Sequence, residues 1–126
     1  MRTVKIGLLG LGNIGTGSYK TLEMNKDTIL ASTGIDLIIT KILEKDTQRK
    51  RDINVSQDQF VKDPSEIFKD PEIEIVIELL GGIEPASSFM MEAMKNGKSV
   101  VTANKAAVAA NFDKLTKTAR ENNVLF

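Results

Sequence analysis

The chain has 126 residues, room for one domain with one core, and its 17 basic and 17 acidic side chains leave a formal net charge of zero. Hydrophobic residues make up 41% and charged residues 27%, an ordinary globular balance that gives no electrostatic reason to bind nucleic acid or a membrane surface. Cysteine and histidine are both absent, which excludes disulfides, thiolate nucleophiles and imidazole bases and removes the commonest metal ligands, so no metal site is expected.

Met1 to Thr3 lead straight into Val4–Leu9, a short apolar run of the kind buried on both faces of a parallel sheet. That start leaves no room for a leader, and no apolar run approaches the ~20 residues of a membrane span. With no cysteine in the chain, a cytoplasmic protein is expected. Gly10-Leu11-Gly12-Asn13-Ile14-Gly15 follows the run and fits G-x-G-x-x-G. A single helix is predicted from this turn to about Ser32, with Ile14, Ser18, Leu22, Ile29 and Leu30 inward and Gly34 ending it. Ile35 to Leu43 reads as the second strand, and the charged stretch Glu44 to Asp52 follows.

Gln59 to Lys62 is a short third strand, and Asp63-Pro64-Ser65-Glu66 reads as an N-cap with proline at the first helical position. Ile73 to Leu80 is a strong strand whose only charges are Glu74 and Glu78, broken by Gly81-Gly82. Pro85 starts a helix with Phe89, Ala93 and Met94 on its inner face, closed at Gly97. Val100-Val101 is a further short strand, and a last helix covers roughly Ala106 to Asn122 with Val108, Phe112, Leu115 and Ala119 at helical spacing. Val124-Leu125-Phe126 reads as the first residues of one more strand, so a fragment of a longer protein is expected. Strands alternating with helices specify the α/β class. The expected architecture is a Rossmann-type doubly wound parallel sheet, three-layer α/β/α, truncated at the start of its last strand.

The glycine hexapeptide gains meaning from lying between a strand and a helix. Gly10 permits the tight turn, Gly12 lets the backbone approach a pyrophosphate, and Gly15 lets helix and strand pack closely. The free N–H groups and positive dipole end of the helix then face the phosphates. In the strand order 3-2-1-4-5-6, Gly81-Gly82 falls beside this loop on the same carboxyl edge, giving the crevice two glycine breaks. At the end of the second strand the advice is mixed. Glu44 can accept from a ribose 2′-hydroxyl, whereas Lys45, with Arg49, Lys50 and Arg51 behind it, can neutralise a 2′-phosphate. NAD and NADP both stay open. Lys105 follows the short Val100-Val101 strand and so also lies on the carboxyl edge. Its ammonium can meet the nicotinamide ribose or carboxamide, a substrate carboxylate, or a developing alkoxide.

Three segments together resemble one family, the homoserine dehydrogenases. The resemblance rests on Gly7-Leu8-Leu9-Gly10-Leu11-Gly12-Asn13-Ile14-Gly15-Thr16-Gly17, on Ile77-Glu78-Leu79-Leu80-Gly81-Gly82-Ile83-Glu84-Pro85-Ala86, and on Val100-Val101-Thr102-Ala103-Asn104-Lys105-Ala106. The first is shared with many dehydrogenases, and the other two are more specific. The resemblance implies an NAD(P)-dependent oxidoreductase that interconverts L-homoserine and L-aspartate 4-semialdehyde, in the biosynthesis of threonine, methionine and isoleucine. It implies backbone contacts to the pyrophosphate at Leu11, Asn13 and Ile14 and a basic position near the adenosine ribose at Lys45. It further implies a cofactor-facing segment at Thr102, Ala103 and Asn104, and a lysine at the nicotinamide end at Lys105. Members of the family continue into a substrate and dimerisation domain that holds the main proton-transfer residues. The 126 residues are therefore expected to bind cofactor without turnover, and the complete enzyme to be a homodimer acting on a small amino acid. A non-catalytic dinucleotide-sensing module and a related enzyme such as an aspartate dehydrogenase are the competing readings. The second and third segments weigh against both, and the lack of a basic stripe weighs against the sensing module.

Overall fold

Side-chain alternation in the first strand decides which helices cover which face. In the computed structural model, which describes residues 1–126, β1 (Arg2–Leu9) contributes Val4, Ile6 and Leu8 to one buried cluster and Leu9 to another. The first cluster lies against α1 (Asn13–Met24), whose Tyr19 it contains, and includes Ile39 and Ile42 of β2 (Ile35–Leu43). The second, larger cluster gathers Ile67 and Phe68 of α3 (Ser65–Phe68), Met90, Ala93 and Met94 of α4 (Ala86–Lys95), and Leu115 and Ala119 of α5 (Lys105–Glu121). Val76 of β4 (Ile73–Glu78) and Val100 of β5 (Ser99–Thr102) belong to it as well. One sheet with a core on each side is the expected three-layer arrangement.

The sheet has five strands in the order β3-β2-β1-β4-β5, with β3 at Phe60–Val61, and every pairing is parallel. The order reverses beside β1, so the carboxyl ends of β1 and β4 flank the switch point at which α/β sheets take their ligands.

Several local expectations are corrected. The first helix is not continuous to Ser32: α1 ends at Met24, and α2 (Lys26–Thr33) restarts beyond Asn25, whose φ of −107° and ψ of 9° leave the helical region. Asn25 bonds the carbonyl of Thr21 with both its backbone N–H (3.1 Å) and its side-chain amide (2.8 Å), the competition that makes asparagine a helix breaker. Gly34 ends α2 in the left-handed region at φ 74°, as expected. Ile14 does not face inward. It is 66% exposed, and Tyr19 is the buried large side chain of α1. Phe112 is 55% exposed as well: Asn111 breaks the regular backbone of α5 (φ −131°, ψ 27°) while its side chain donates to Ser87 Oγ at 3.0 Å. β4 stops at Glu78 rather than Leu80. The last three residues form no strand of the sheet. They lie beside β5, joined by Val100 N–H to Leu125 O (3.0 Å) and Leu125 N–H to Ser99 Oγ (3.1 Å).

One buried cation fastens the edge of the sheet opposite the switch point. Lys98 is nearly inaccessible, and its ammonium donates to the carbonyls of Asp70 (2.6 Å) and Ile73 (2.9 Å), closing the turn between α3 and β4. Burial lowers its pKa below the ordinary 10.5, against the pull of the Asp70 carboxylate. Lys98→Met keeps much of the apolar stem but strands two carbonyls, and should cost about 2 kcal/mol of stability in urea denaturation. An unchanged midpoint would show that water replaces the ammonium.

Candidate functional site

The glycine turn is shaped by contacts that differ at each of its glycines. Gly10 takes a φ of 97°, and a Cβ there would stand 3.0 Å from the Leu79 carbonyl oxygen of the neighbouring strand end. A Cβ on Gly15 would stand 2.3 Å from the Gly10 carbonyl oxygen, so only glycine lets α1 rise this close to the loop. Gly12 is different. Its φ of −76° asks for no glycine, and no atom lies within 4 Å of where a Cβ would project. That bare surface faces open space at the start of a helix with no side-chain cap. The first helical bond runs from Thr16 N–H to Gly12 O (2.8 Å), leaving the amides of Gly12, Asn13, Ile14 and Gly15 without a protein partner. Uncapped amides, the positive end of the helix dipole and no acidic residue in the first turn together make a seat for a diphosphate.

The Leu11 amide is not among the free ones. It donates to Glu44 Oε1 at 2.7 Å, and the Leu11 carbonyl accepts from Arg51 Nε at 2.8 Å. Glu44 Oε2 accepts from Asp46 N–H (3.1 Å), so both of its oxygens are engaged within the protein. Arg51, its side chain 6% exposed, also reaches the carbonyls of Asp46 (2.7 Å) and Arg49 (3.2 Å). These two residues are therefore the internal frame of the loop after β2. The charges facing outward there are mixed: Asp46 is exposed and accepts from Arg49 N–H (3.0 Å) through Oδ1, and beside it stand the exposed cations Lys45, Arg49 and Lys50. Lys45 is exposed and unpaired, and Arg49 donates to Asn13 Oδ1 (2.7 Å) at the mouth of the glycine turn. The frame went unseen in the sequence, where Arg51 was one of several charges in a run. Only its position relative to Leu11 singles it out.

At the other end of the cleft a buried carboxylate organises two loops. Glu78, wholly inaccessible, accepts from Leu80 N–H (2.9 Å), the Thr102 hydroxyl and Asn104 Nδ2 (3.3 Å). Asn104 Nδ2 also donates to Gly82 O (2.6 Å), while its Oδ1 accepts from Ala107 N–H (3.1 Å) and caps α5. Gly81 and Gly82 both take positive φ, 80° and 73°, which turns the chain back after β4. The segment Thr102-Ala103-Asn104-Lys105 is thus stitched to the Gly81-Gly82 turn. The sequence carried a sign of this, since Glu78 is an ionisable residue inside an apolar strand, but its partners are distant in the chain.

The glycine turn, the double-glycine turn and the Thr102–Lys105 segment all follow the carboxyl ends of parallel strands. Between α1 and the β4–β5 edge lies an open groove of about 570 Å³, lined by Ile14, Leu22, Ile77, Leu79, Val101 and Ala103 among others. A second hollow shares Thr102 and Ala103 with it and is bordered by Lys105 and Phe112. Lys105 is the first residue of α5, exposed, with no hydrogen-bond or ion-pair partner.

Residues 10–126 match the family model described as homoserine dehydrogenase, NAD binding domain. The chain is 33% identical over 122 residues to the homoserine dehydrogenase of Bacillus subtilis (strain 168), a match covering 97% of this chain and 28% of that protein. A crystal structure of S. aureus homoserine dehydrogenase superposes with a TM-score of 0.90 at 39% identity, covering 99% of this chain and 32% of that one. The Thiobacillus denitrificans homoserine dehydrogenase gives a TM-score of 0.83 at 32% identity, over 98% and 28% of the respective chains. The 126 residues thus span roughly a quarter to a third of the length of these relatives.

Proposed function

Since the chain belongs to the homoserine dehydrogenase NAD-binding domain family, we propose that it is the cofactor-holding domain of an enzyme interconverting L-homoserine and L-aspartate 4-semialdehyde. The step serves threonine, methionine and isoleucine biosynthesis. The observation that carries the reading is the set of partnerless amides from Gly12 to Gly15 beside a glycine with open space in front of it. The glycine turn receives the diphosphate of NAD or NADP at Gly10, Leu11, Gly12, Asn13, Ile14 and Gly15. Leu11 contributes through the shape it shares with Glu44 and Arg51 rather than through its amide. Gly81, Gly82, Thr102, Ala103 and Asn104 line the nicotinamide end, and Lys105 presents its ammonium there.

The nicotinamide ring, when bound, supplies the hydride exchange. The chain's own residues bind and orient: amides and helix dipole fix the diphosphate, apolar side chains of the groove exclude water, and Lys105 opposes negative charge at the reacting end. The exposed Phe112 is read as surface that the rest of the enzyme covers, a substrate and dimerisation domain beyond these 126 residues. No helix is long and apolar enough to cross a membrane. The complete enzyme is read as a cytoplasmic homodimer whose partners are a nicotinamide dinucleotide and a small amino-acid substrate.

Titration of the chain with NADH and NADPH, followed by nicotinamide fluorescence, tests the reading; binding of neither would remove it. The same titrations address cofactor choice. With Glu44 occupied inside the loop, and Lys45 and Arg49 facing outward, a 2′-phosphate has cations to meet. Lys45→Ala and Arg49→Ala should each weaken NADPH by about tenfold, a charge-assisted hydrogen bond's worth, and leave NADH within about twofold. Equal losses for both cofactors would remove these side chains as readers of the phosphate.

A further inference from the structure

We infer that Glu78 tilts the cleft toward the oxidised, positively charged form of the nicotinamide ring; the inference rests on the reading of the cleft as a dinucleotide site. Glu78 closes β4, paired with Leu9 of β1 on one side and Thr102 of β5 on the other. It therefore lies at the carboxyl edge of the sheet beside the switch point, between the glycine turn and the Thr102–Lys105 segment. Its side chain is wholly buried, and its three donors, the Leu80 amide, the Thr102 hydroxyl and the Asn104 amide, are all neutral. No lysine or arginine nitrogen comes within 4.0 Å of it.

That combination is unusual on physical grounds. A buried carboxylate without a cation is a costly arrangement, and an amide in its place would still accept from Leu80 and Asn104 through its one oxygen, so the tie between the loops does not by itself call for a charge. The carboxylate has no ion-pair partner, the exposed Lys105 ammonium at the same end being free, and in a poorly polarisable surrounding its field reaches further than it would in water. The fit of the cleft to a dinucleotide is given by the free amides at one end and by the groove running to Thr102 and Ala103 at the other. A ring seated at the β4–β5 end is cationic when oxidised and neutral when reduced. Only the oxidised ring gains from the carboxylate. By linkage, preferential binding of the oxidised form lowers the reduction potential of the bound cofactor.

The test compares affinities rather than turnover. The 126-residue chain and its Glu78→Gln variant are titrated with NADP+, NADPH, NAD+ and NADH, after circular dichroism establishes that the variant is folded. Glu78→Gln is expected to raise the dissociation constant of each oxidised form by about tenfold more than that of its reduced partner. Thr102→Val keeps the charge while removing a donor, and should weaken both forms by one common factor. Should Glu78→Gln not fold, Glu78→Met serves instead: it removes the charge with a side chain suited to apolar surroundings, and should shift the oxidised-to-reduced ratio by the same factor of about ten. Equal weakening of both forms by whichever of these charge-removing variants folds would overturn the inference and leave Glu78 a latch between loops. Failure of the wild-type chain to bind any of the four would instead remove the dinucleotide reading beneath it.

Discussion

Gly12→Ala is expected to melt like the wild type and yet lose dinucleotide binding by roughly a hundredfold, about 3 kcal/mol. The two halves of this result come from different observations. A methyl group at Gly12 meets no atom within 4 Å and the φ of −76° suits alanine, so nothing in the folded chain resists it. The methyl nevertheless stands in front of the free amides, and a diphosphate held away from them forfeits one or two charge-assisted hydrogen bonds. Gly15→Ala should behave in the opposite way. Its methyl would sit 2.3 Å from the Gly10 carbonyl oxygen, backbone against backbone, and α1 would have to lift off the loop. Overpacking of this kind costs about 3 kcal/mol, so Gly15→Ala should lose both stability and binding. Thermal melts paired with NADPH titrations separate the two. If Gly12→Ala bound as the wild type does, the diphosphate would have to lie elsewhere.

In the complete enzyme, Lys105→Ala should lower turnover by roughly a hundredfold or more while leaving the fold intact, the scale seen when one preorganised charge-stabilising donor is removed. Nothing in the chain depends on the ammonium: Lys105 is exposed, has no partner and opens a helix. A cation at a helix N-terminus opposes the dipole, so its removal should raise stability slightly, by about 0.3 kcal/mol. A loss of activity beside a neutral or favourable change in melting temperature assigns the effect to chemistry rather than folding. Unchanged turnover would remove Lys105 from the reacting end. The 126-residue chain by itself should bind cofactor and oxidise no homoserine.

Strands were the most legible part of the sequence because their burial on both faces leaves near-continuous apolar runs. Val4–Leu9, Ile35–Leu43 and the run from Ile73 all fall where strands form, and the order follows from the βα alternation. Helix interruptions were not legible. The break at Asn25 arises from a side chain competing for a carbonyl, and the one at Asn111 accompanies a contact to Ser87 on another helix. Hydrophobic periodicity is blind to both. It also placed Ile14 inward and set Phe112 in one helical row with Leu115 and Ala119, whereas Ile14 and Phe112 border open hollows.

The glycines and Lys105 could be placed on the carboxyl edge of the sheet because motif and strand end coincide. The commitments of the carboxylates could not. Glu44 stands where a ribose acceptor is expected, yet its side chain folds back onto Leu11 and Asp46. Whether an acid at a strand end faces a ligand or its own backbone is decided by loop geometry, which spacing does not encode.

Arg51 acts as an internal strut whose guanidinium holds Leu11, Arg49 and Asp46 at once. A loop clamped in this way arrives at its ligand already rigid, so little freedom is surrendered on association and more of the contact energy survives as affinity. The loop after β2 is therefore built as a mould rather than a glove.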